Sequence, residues 1–487
     1  MKAMYKRPSQ KKMLAQRMIV SVIALTAIIV GVAVALLFML GYRLDRETGR
    51  LEQGALLQFE TEPTGAAVWI DGKDTGARTG TKRTVLAGAH EFMLKKDGYE
   101  DWTRTITVKA GTLTWLDYAR LVPRDRKTED VASYSSLVAA KAAPGGKSFI
   151  LQESKGEPTF TIAAIDRDEV ATSRISLDKN LYGESDDSSV KREFRLRQWD
   201  QSGRYVIVTH HYGSKIEWLV VDTEQVSRSE NVTRKLSVNL KELHFVGNDG
   251  RTLVGLMSDG IIRKLDLGSE TISRALVTNV TSFSIDPGTK IVNYVGVDPQ
   301  DSKRRVAGVY RDGDASSYVL RGTVGDSPLL VTSAVYHGNN YVAIAEGGTV
   351  TLLRGSYPKS LSDTSSLTPV ATMSLEGHVT WLSFSSDADF LVAQSDKSFV
   401  GYEIEQERSS VSSLIDGAKL RWLDAAYLWD DLNGTVTMRD FDGSNSHQVM
   451  LVAEGFDVAL TENGRYLYGI GERDNGYALQ RFKMIID

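Results

Sequence analysis

Seven histidines in 487 residues leave few places for metal or acid–base chemistry. His210 and His211 are neighbours in a β-branched run, which sends their side chains to opposite faces of a strand. They share a metal only if another loop supplies ligands. His90 stands beside Glu91 with no second histidine or carboxylate cluster at ligand spacing, so it reads as structural. Acid pairs occur at Asp186-Asp187, at Asp387 with Asp389, and at Asp430-Asp431. Glycoside hydrolysis needs two carboxylates about 5 to 9 Å apart, and each pair could in principle supply them. In turn-rich β sequence, however, aspartate mostly caps turns. Arg311-Asp312-Gly313-Asp314 offers calcium two carboxylates and then lacks the regular run of oxygen ligands that a calcium loop needs. There is no G-x-S-x-G elbow, H-E-x-x-H helix, P-loop or dinucleotide-binding glycine loop. We assign no catalytic, cofactor-binding or metal-ligating residue from the sequence. A site assembled from loops distant in the chain would leave no short motif.

Aromatic residues are the other candidates. Trp199, Tyr205, Trp218, Trp381, Tyr402, Trp422 and Trp429 mostly occupy alternating positions of strand-like runs. Buried, they wedge sheets together; exposed at a rim, they anchor a protein or a glycan. Most are expected in the core, with Trp429 the exception because Asp430-Asp431 brings it next to a turn. Tyr99, Trp102 and Trp115 are likewise expected to fill a small core. Asn231, Asn279 and Asn433 open N-x-T patterns of a kind that arise by chance.

The elements that position these residues begin with an apolar run. From Ile19 to Leu40 only Ser21 and Thr26 interrupt it, and at 1.5 Å per residue it reaches about 33 Å, enough for a roughly 30 Å hydrocarbon layer. Residues 19–41 are therefore expected to be a signal-anchor helix that crosses the lipid bilayer once. Lys2, Lys6, Arg7, Lys11, Lys12 and Arg17 precede it without an acid, whereas Arg43, Arg46 and Arg50 are mixed with Asp45, Glu47 and Glu52. The bias puts a tail, residues 1–18, in the cytoplasm and the rest outside. A cleaved secretory signal also begins basic and turns apolar, but its core is usually shorter and closes on small residues.

The net charge of -4 includes this wholly basic tail, so the remainder is more acidic still. Nucleic acid is a poor partner for such a chain. With no cysteine, neither a disulfide nor a thiolate site exists, and the outer part must hold together by packing.

Residues 54–123 alternate apolar and polar side chains between glycine turns and read as five or so short antiparallel strands of a small sandwich. The turns sit at Glu62-Pro63-Thr64-Gly65-Ala66, Val68-Trp69-Ile70-Asp71-Gly72 with Gly76, Gly88-Ala89-His90, Lys96-Asp97-Gly98-Tyr99 and Leu121-Val122-Pro123. In order and spacing they resemble the PEGA family of small extracytoplasmic β domains. Thr79-Gly80 and Ala87-Gly88 stand where that family usually has Thr-Pro and Pro-Gly. The resemblance implies a fold more than an activity.

Arg124 to Asp130 is almost continuously charged and reads as a linker or solvated face. Beyond it, residues 131–487 repeat one pattern: one or two apolar positions, a small polar turn, then a β-branched run. Copies occupy 143–151, 199–208, 245–254, 283–292, 335–344, 384–392, 422–429 and 460–468, roughly every forty to fifty residues. Each continues into a further turn and strand, as at Ser258-Asp259-Gly260. Such units read as four-stranded blades stacked radially. The pattern resembles WD40-like and TolB-like β-propellers; Gly377-His378 through Tyr402-Glu403-Ile404 comes closest to a WD repeat, without its terminal Trp-Asp. Eight motifs favour eight blades. Seven is the alternative, because the last three lie close together.

The chain is thus expected to be all-β outside its anchor: a cell-membrane protein with a PEGA-like sandwich and a propeller that binds an envelope protein or glycan. An envelope hydrolase or lyase with a site at the central channel is the alternative. It requires convergent acids, histidine or arginine in a closed polar pocket. A transmembrane sensor fits less well, since the tail is too short for a cytoplasmic output domain.

Overall fold

The computed structural model describes residues 10–39, 42–44, 51–185, 187, 189–286, 288–325, 327–357 and 367–486. Of the residues discussed above, Lys2, Lys6, Arg7, Leu40, Gly41, Asp45, Arg46, Glu47, Arg50 and Asp186 lie outside this set. The chain divides into two compact units, Met1–Leu121 and Val122–Asp487.

In the first unit a helix, α1, spans Gln10–Met39. It starts upstream of the apolar run because lysine, arginine and glutamine are good helix formers. Its window Arg17–Leu37 has a mean hydropathy of 2.9, with none of it buried. The helix is long and apolar enough to cross a membrane.

The sandwich that follows has two four-stranded sheets. In one, the long strand Leu51–Glu62 pairs with Tyr42–Leu44, with Thr81–Leu86 and with Leu113–Arg120. The other runs Lys73–Arg78, Ala67–Ile70, Gly88–Lys95, Trp102–Val108. Two features depart from the sequence expectation. Lys73–Arg78 and Thr81–Leu86 are strands despite their polar composition, because they are edges with little to bury. Leu113–Arg120 pairs parallel, not antiparallel, to Leu51–Glu62, because the chain reaches it from the opposite sheet. Leu57 and Phe59 from the first sheet meet Phe92, Leu94 and Trp102 from the second in a dry core, with Phe59 and Phe92 rings 5.5 Å apart. Asp71 and Gly72 both take positive φ at the tip of a hairpin, as a two-residue turn of that hand demands.

Among the described residues the second unit has eight successive four-stranded antiparallel sheets, their strands lying within 139–176, 192–231, 240–272, 280–324, 329–374, 381–413, 421–451 and 459–483. The last takes its fourth strand, Thr128–Tyr134, from the beginning of the unit. Core clusters join sheets one and two, two and three, three and four, four and five, and five and six. Phe390 stacks on Phe441 at 3.9 Å between sheets six and seven, and Gln480 bonds the Leu451 carbonyl between seven and eight. Leu479 and Tyr468 of the eighth sheet pack with Phe149 of the first. The sheets therefore close into a ring, a β-propeller. Residues 128–130, expected in a linker, belong to the closing strand. Their charges are accommodated because that strand is an outer edge, where Asp130 pairs with Arg473 and Glu129 with Arg481.

The first strands of sheets one and two, and those of sheets five and six, touch one another, so first strands line the centre and fourth strands face out. Up-and-down order puts the turns between first and second and between third and fourth strands on one face. The remaining turns and the links between sheets lie on the other. The chain enters the ring at the start of a fourth strand and leaves it at the end of a third, both on the first of these faces.

Candidate functional site

On the face where the chain enters and leaves, the recurrent acids are turn caps. Asp200 accepts from the backbone N–H groups of Arg204 and Tyr205 at 3.0 and 2.9 Å. Asp249 does the same for Arg251 and Thr252, and Asp424 for Ala426 and Tyr427. These aspartates fix the short turn between first and second strands, which explains why the polar turn recurs. Asp387 accepts from the Ser385 hydroxyl and the Asp389 N–H, so the Asp387/Asp389 pair is one turn and not a facing pair of carboxylates. Arg311 chelates Asp314 at 2.8 and 3.1 Å, which occupies one of the two carboxylates that suggested calcium.

On the opposite face, Asp187 caps Ser189. Asp430 and Asp431 take separate partners: Asp430 pairs with Arg439, Asp431 with Arg421. Burial pushes the Asp430 carboxyl up. Burial also acts to raise Asp431, but the Gly455 N–H and the Arg421 guanidinium outweigh it and hold that carboxyl low. Trp429, expected to be the exposed exception, is 2% exposed beneath Arg421, whose guanidinium lies 3.9 Å from the ring centroid. Neighbouring charge does not imply exposure when a planar cation can cover the ring.

His210 and His211 do point to opposite faces of their strand, Tyr205–Tyr212. His210 is fully buried, stacked between Phe194 at 4.4 Å and Tyr212 at 4.9 Å. Its Nδ1 meets Glu217 at 3.1 Å. Glu217 also accepts from the Gly183 N–H at 2.8 Å and from Arg234 at 2.6 Å. Burial alone would raise the Glu217 carboxyl; the His210, Gly183 and Arg234 hydrogen bonds reverse that and bring it to about 2. His211 bonds the Thr209 hydroxyl, and burial, with Arg195 and Arg197 nearby, lowers its pKa. No short motif announces the His210–Glu217–Arg234 network, since its members come from two strands and the helix turn Val232–Lys235.

Polar and aromatic side chains also meet across the first strands of neighbouring sheets. Gln198 and His244, on the first strands of sheets two and three, bond at 3.0 Å, and His244 continues to Glu242 at 2.8 Å. Across the ring, Trp422 donates to Ser383 at 3.2 Å, and its ring lies 6.3 Å from that of Trp381. Both tryptophans are half-buried on first strands, whereas Trp199, Trp218 and Tyr402 are core as expected. Among the described residues, no three of His, Asp and Glu are grouped so as to hold a metal. In the sandwich, Tyr99 and Trp102 are core, but Trp115 is 39% exposed, because its strand turns that position away from the second sheet. His90 bonds Asp71 at 2.7 Å and locks the hairpin.

Residues 55–123 match the PEGA domain family. No curated protein matches the chain. Among solved structures, the chain is similar to the carboxy-terminal WD40 domain of Sif2, at 13% identity over 73% of this chain and 97% of that one, with a TM-score of 0.46. The computationally designed Ika8 protein has 14% identity over 73% and 99%, with a TM-score of 0.43. An oligogalacturonate lyase in complex with manganese has 10% identity over 72% and 98%, with a TM-score of 0.40. The chain carries a PEGA domain followed by a β-propeller.

Proposed function

We propose that this chain is a single-pass, membrane-anchored scaffold of a bacterial cell envelope, with residues 1–18 cytoplasmic, residues 19–41 in the bilayer, and the PEGA domain and propeller outside. The propeller is the platform for an envelope protein or glycan. The observation that supports this reading is the Trp381–Trp422 pair, which lies on first strands of the ring, only half-buried, where a partner can reach it. Half-exposed tryptophans supply a large contact area at low entropic cost.

The absence of cysteine makes the topology directly testable. Ser258→Cys in a propeller turn should react with a membrane-impermeant maleimide on intact cells, and Ser9→Cys only after lysis; the reverse pattern overturns the orientation. For binding, full-length protein in lipid nanodiscs is titrated with solubilised cell-wall glycan fragments and envelope proteins. Changing both Trp381 and Trp422 to alanine should weaken the interaction at least about tenfold, the usual scale for a hot-spot aromatic. Unchanged binding with chemical turnover of the glycan would favour the channel-enzyme alternative.

A further inference from the structure

Between sheets two and three, on the face where the chain enters and leaves, lies a cleft of about 430 Å³ lined by Tyr205, Asp222, Arg228, Glu230, Gly250 and Arg251 among others. Its two carboxylates are already neutralised. Asp222 is 1% exposed and receives Arg204 through two bonds of 3.0 and 2.6 Å. Glu230 receives Lys235 at 2.8 Å. Its two arginines are not. Among the described residues neither Arg228 nor Arg251 has a hydrogen-bonding or ion-pair partner for its side chain, and both are exposed at the cleft.

Comparison of equivalent positions in the repeat makes Arg251 the informative residue. Arg204 and Arg251 each follow the glycine of the turn between first and second strands, and each precedes a residue paired with an acid on the third strand. Tyr205 faces Asp222, and Thr252 faces Asp266. In sheet two the arginine is clamped on that acid. Both acids cap their own turns, Asp222 through Glu224 and Gln225 at 3.1 and 2.9 Å and Asp266 through Gly268 and Ser269 at 2.8 and 2.9 Å, but only Asp222 also holds its arginine, and Arg251 is left for the cleft. The turn that carries it is pressed against the cleft wall: Gly250 has φ +64, and a Cβ there would strike the Tyr205 ring. The position of Arg251 is therefore fixed by packing while its charge is unspent within the fold.

We infer that this cleft is a binding site for a small anionic ligand bearing a phosphate or carboxylate group, held by Arg228 and Arg251. Guanidinium groups match the planar or tetrahedral oxygen edges of such anions through paired N–H donors. The volume is that of a small-molecule site and admits a ligand larger than a bare phosphate. The site is separate from the channel wall and does not rest on the scaffold reading.

The test is calorimetric titration of full-length protein in neutral-lipid nanodiscs with pyrophosphate, glucose 1-phosphate and glucuronate, the last two separating phosphate from carboxylate recognition. Binding of at least one probe is expected, weakened about tenfold or more by Arg251→Gln and by Arg228→Gln, the loss of a charge-assisted bond each. Lys179→Gln, on the opposite face, should leave it unchanged. Because both arginines are exposed and unpaired, the variants should melt as the parent does. Absence of binding by all three probes up to about 10 mM, the range below which a specific small site is expected to fill, overturns the proposal. So does binding that survives both arginine substitutions.

Discussion

In the PEGA sandwich, Phe59, Phe92 and Trp102 belong to one core to which both sheets contribute; in the propeller, among the described residues, no core cluster extends beyond two neighbouring sheets. The sandwich concentrates its stability and the ring distributes it. A small domain buries a smaller fraction of its surface and depends on each large side chain. A ring of stacked sheets repeats one interface many times, so that any one sheet is held from both sides. The same contrast governs charge. The sandwich keeps its His90–Asp71 pair partly in water, with Asp71 half-exposed, whereas the ring encloses Glu217 at 5% side-chain exposure between His210 and Arg234.

The largest expected effect tests the first contrast. Trp102 is 1% exposed in the sandwich and Phe399 is fully buried in the ring. Truncating either to alanine should cost about 3–5 kcal/mol. Per kcal/mol, a domain of 60–100 residues loses about 4–8 °C in Tm and larger units about 2–4 °C or less. Trp102→Ala should therefore abolish the sandwich transition in scanning calorimetry and leave the ring transition in place. Phe399→Ala should lower the ring transition by a modest amount. If either variant shifts both transitions together, the two units melt as one and the contrast fails.

What was legible in the sequence follows the same division. The repeat of turn and β-branched run was visible because each turn needs a capping side chain and each second strand is buried on both faces, as Ser148–Gln152 and Phe390–Gln394 are throughout. The polar edge strands of the sandwich and its parallel pair were not, since edges carry little apolar signal and strand direction depends on where the chain crosses between sheets. At Asp387 the acid pair is turn chemistry, as its glycine-poor polar turn implies. The Gln198–His244 and Ser383–Trp422 contacts are not legible in the sequence, although Trp422 is a candidate there, because the partners lie on different sheets, about forty residues apart. The burial of Trp429 is not legible in the sequence because Arg421, which covers it, faces it across a pair of strands.

The next effect is smaller and concerns charge. The folded Glu217 carboxyl lies at about 2, below its ordinary 4.5. A depressed carboxyl contributes stability that is present above the unfolded value and lost as pH falls through the folded one. The ring should lose about 3 kcal/mol between roughly pH 4.5 and 2 from this group. Glu217→Gln should flatten that segment of the stability profile in urea titrations and lower stability at neutral pH. Asp71→Asn in the sandwich removes a pair of similar composition, yet should change stability by only about 0–1 kcal/mol, because water screens an exposed pair. Equal losses from the two substitutions would mean that enclosure in the ring does not strengthen the pair.

The smallest effect lies within the ring and sets two adjacent carboxylates against each other. Asp430 is raised by burial despite Arg439, whereas Asp431 is lowered by the Gly455 N–H and Arg421. Linkage gives them opposite signs: protonating Asp430 as pH falls through its raised value favours the folded ring, whereas protonating Asp431 below its ordinary value disfavours it. Their contributions to the stability profile partly cancel, so the measurement must resolve the residues. Carboxyl carbon shifts followed by NMR should show Asp430 titrating above 3.8 and Asp431 below it. Arg421→Gln should then move Asp431 upward by more than it moves Asp430, since only Asp431 shares a hydrogen bond with that guanidinium. If both carboxylates moved equally, the two pairs would be one coupled unit, and the ring would manage its buried charge collectively and not turn by turn.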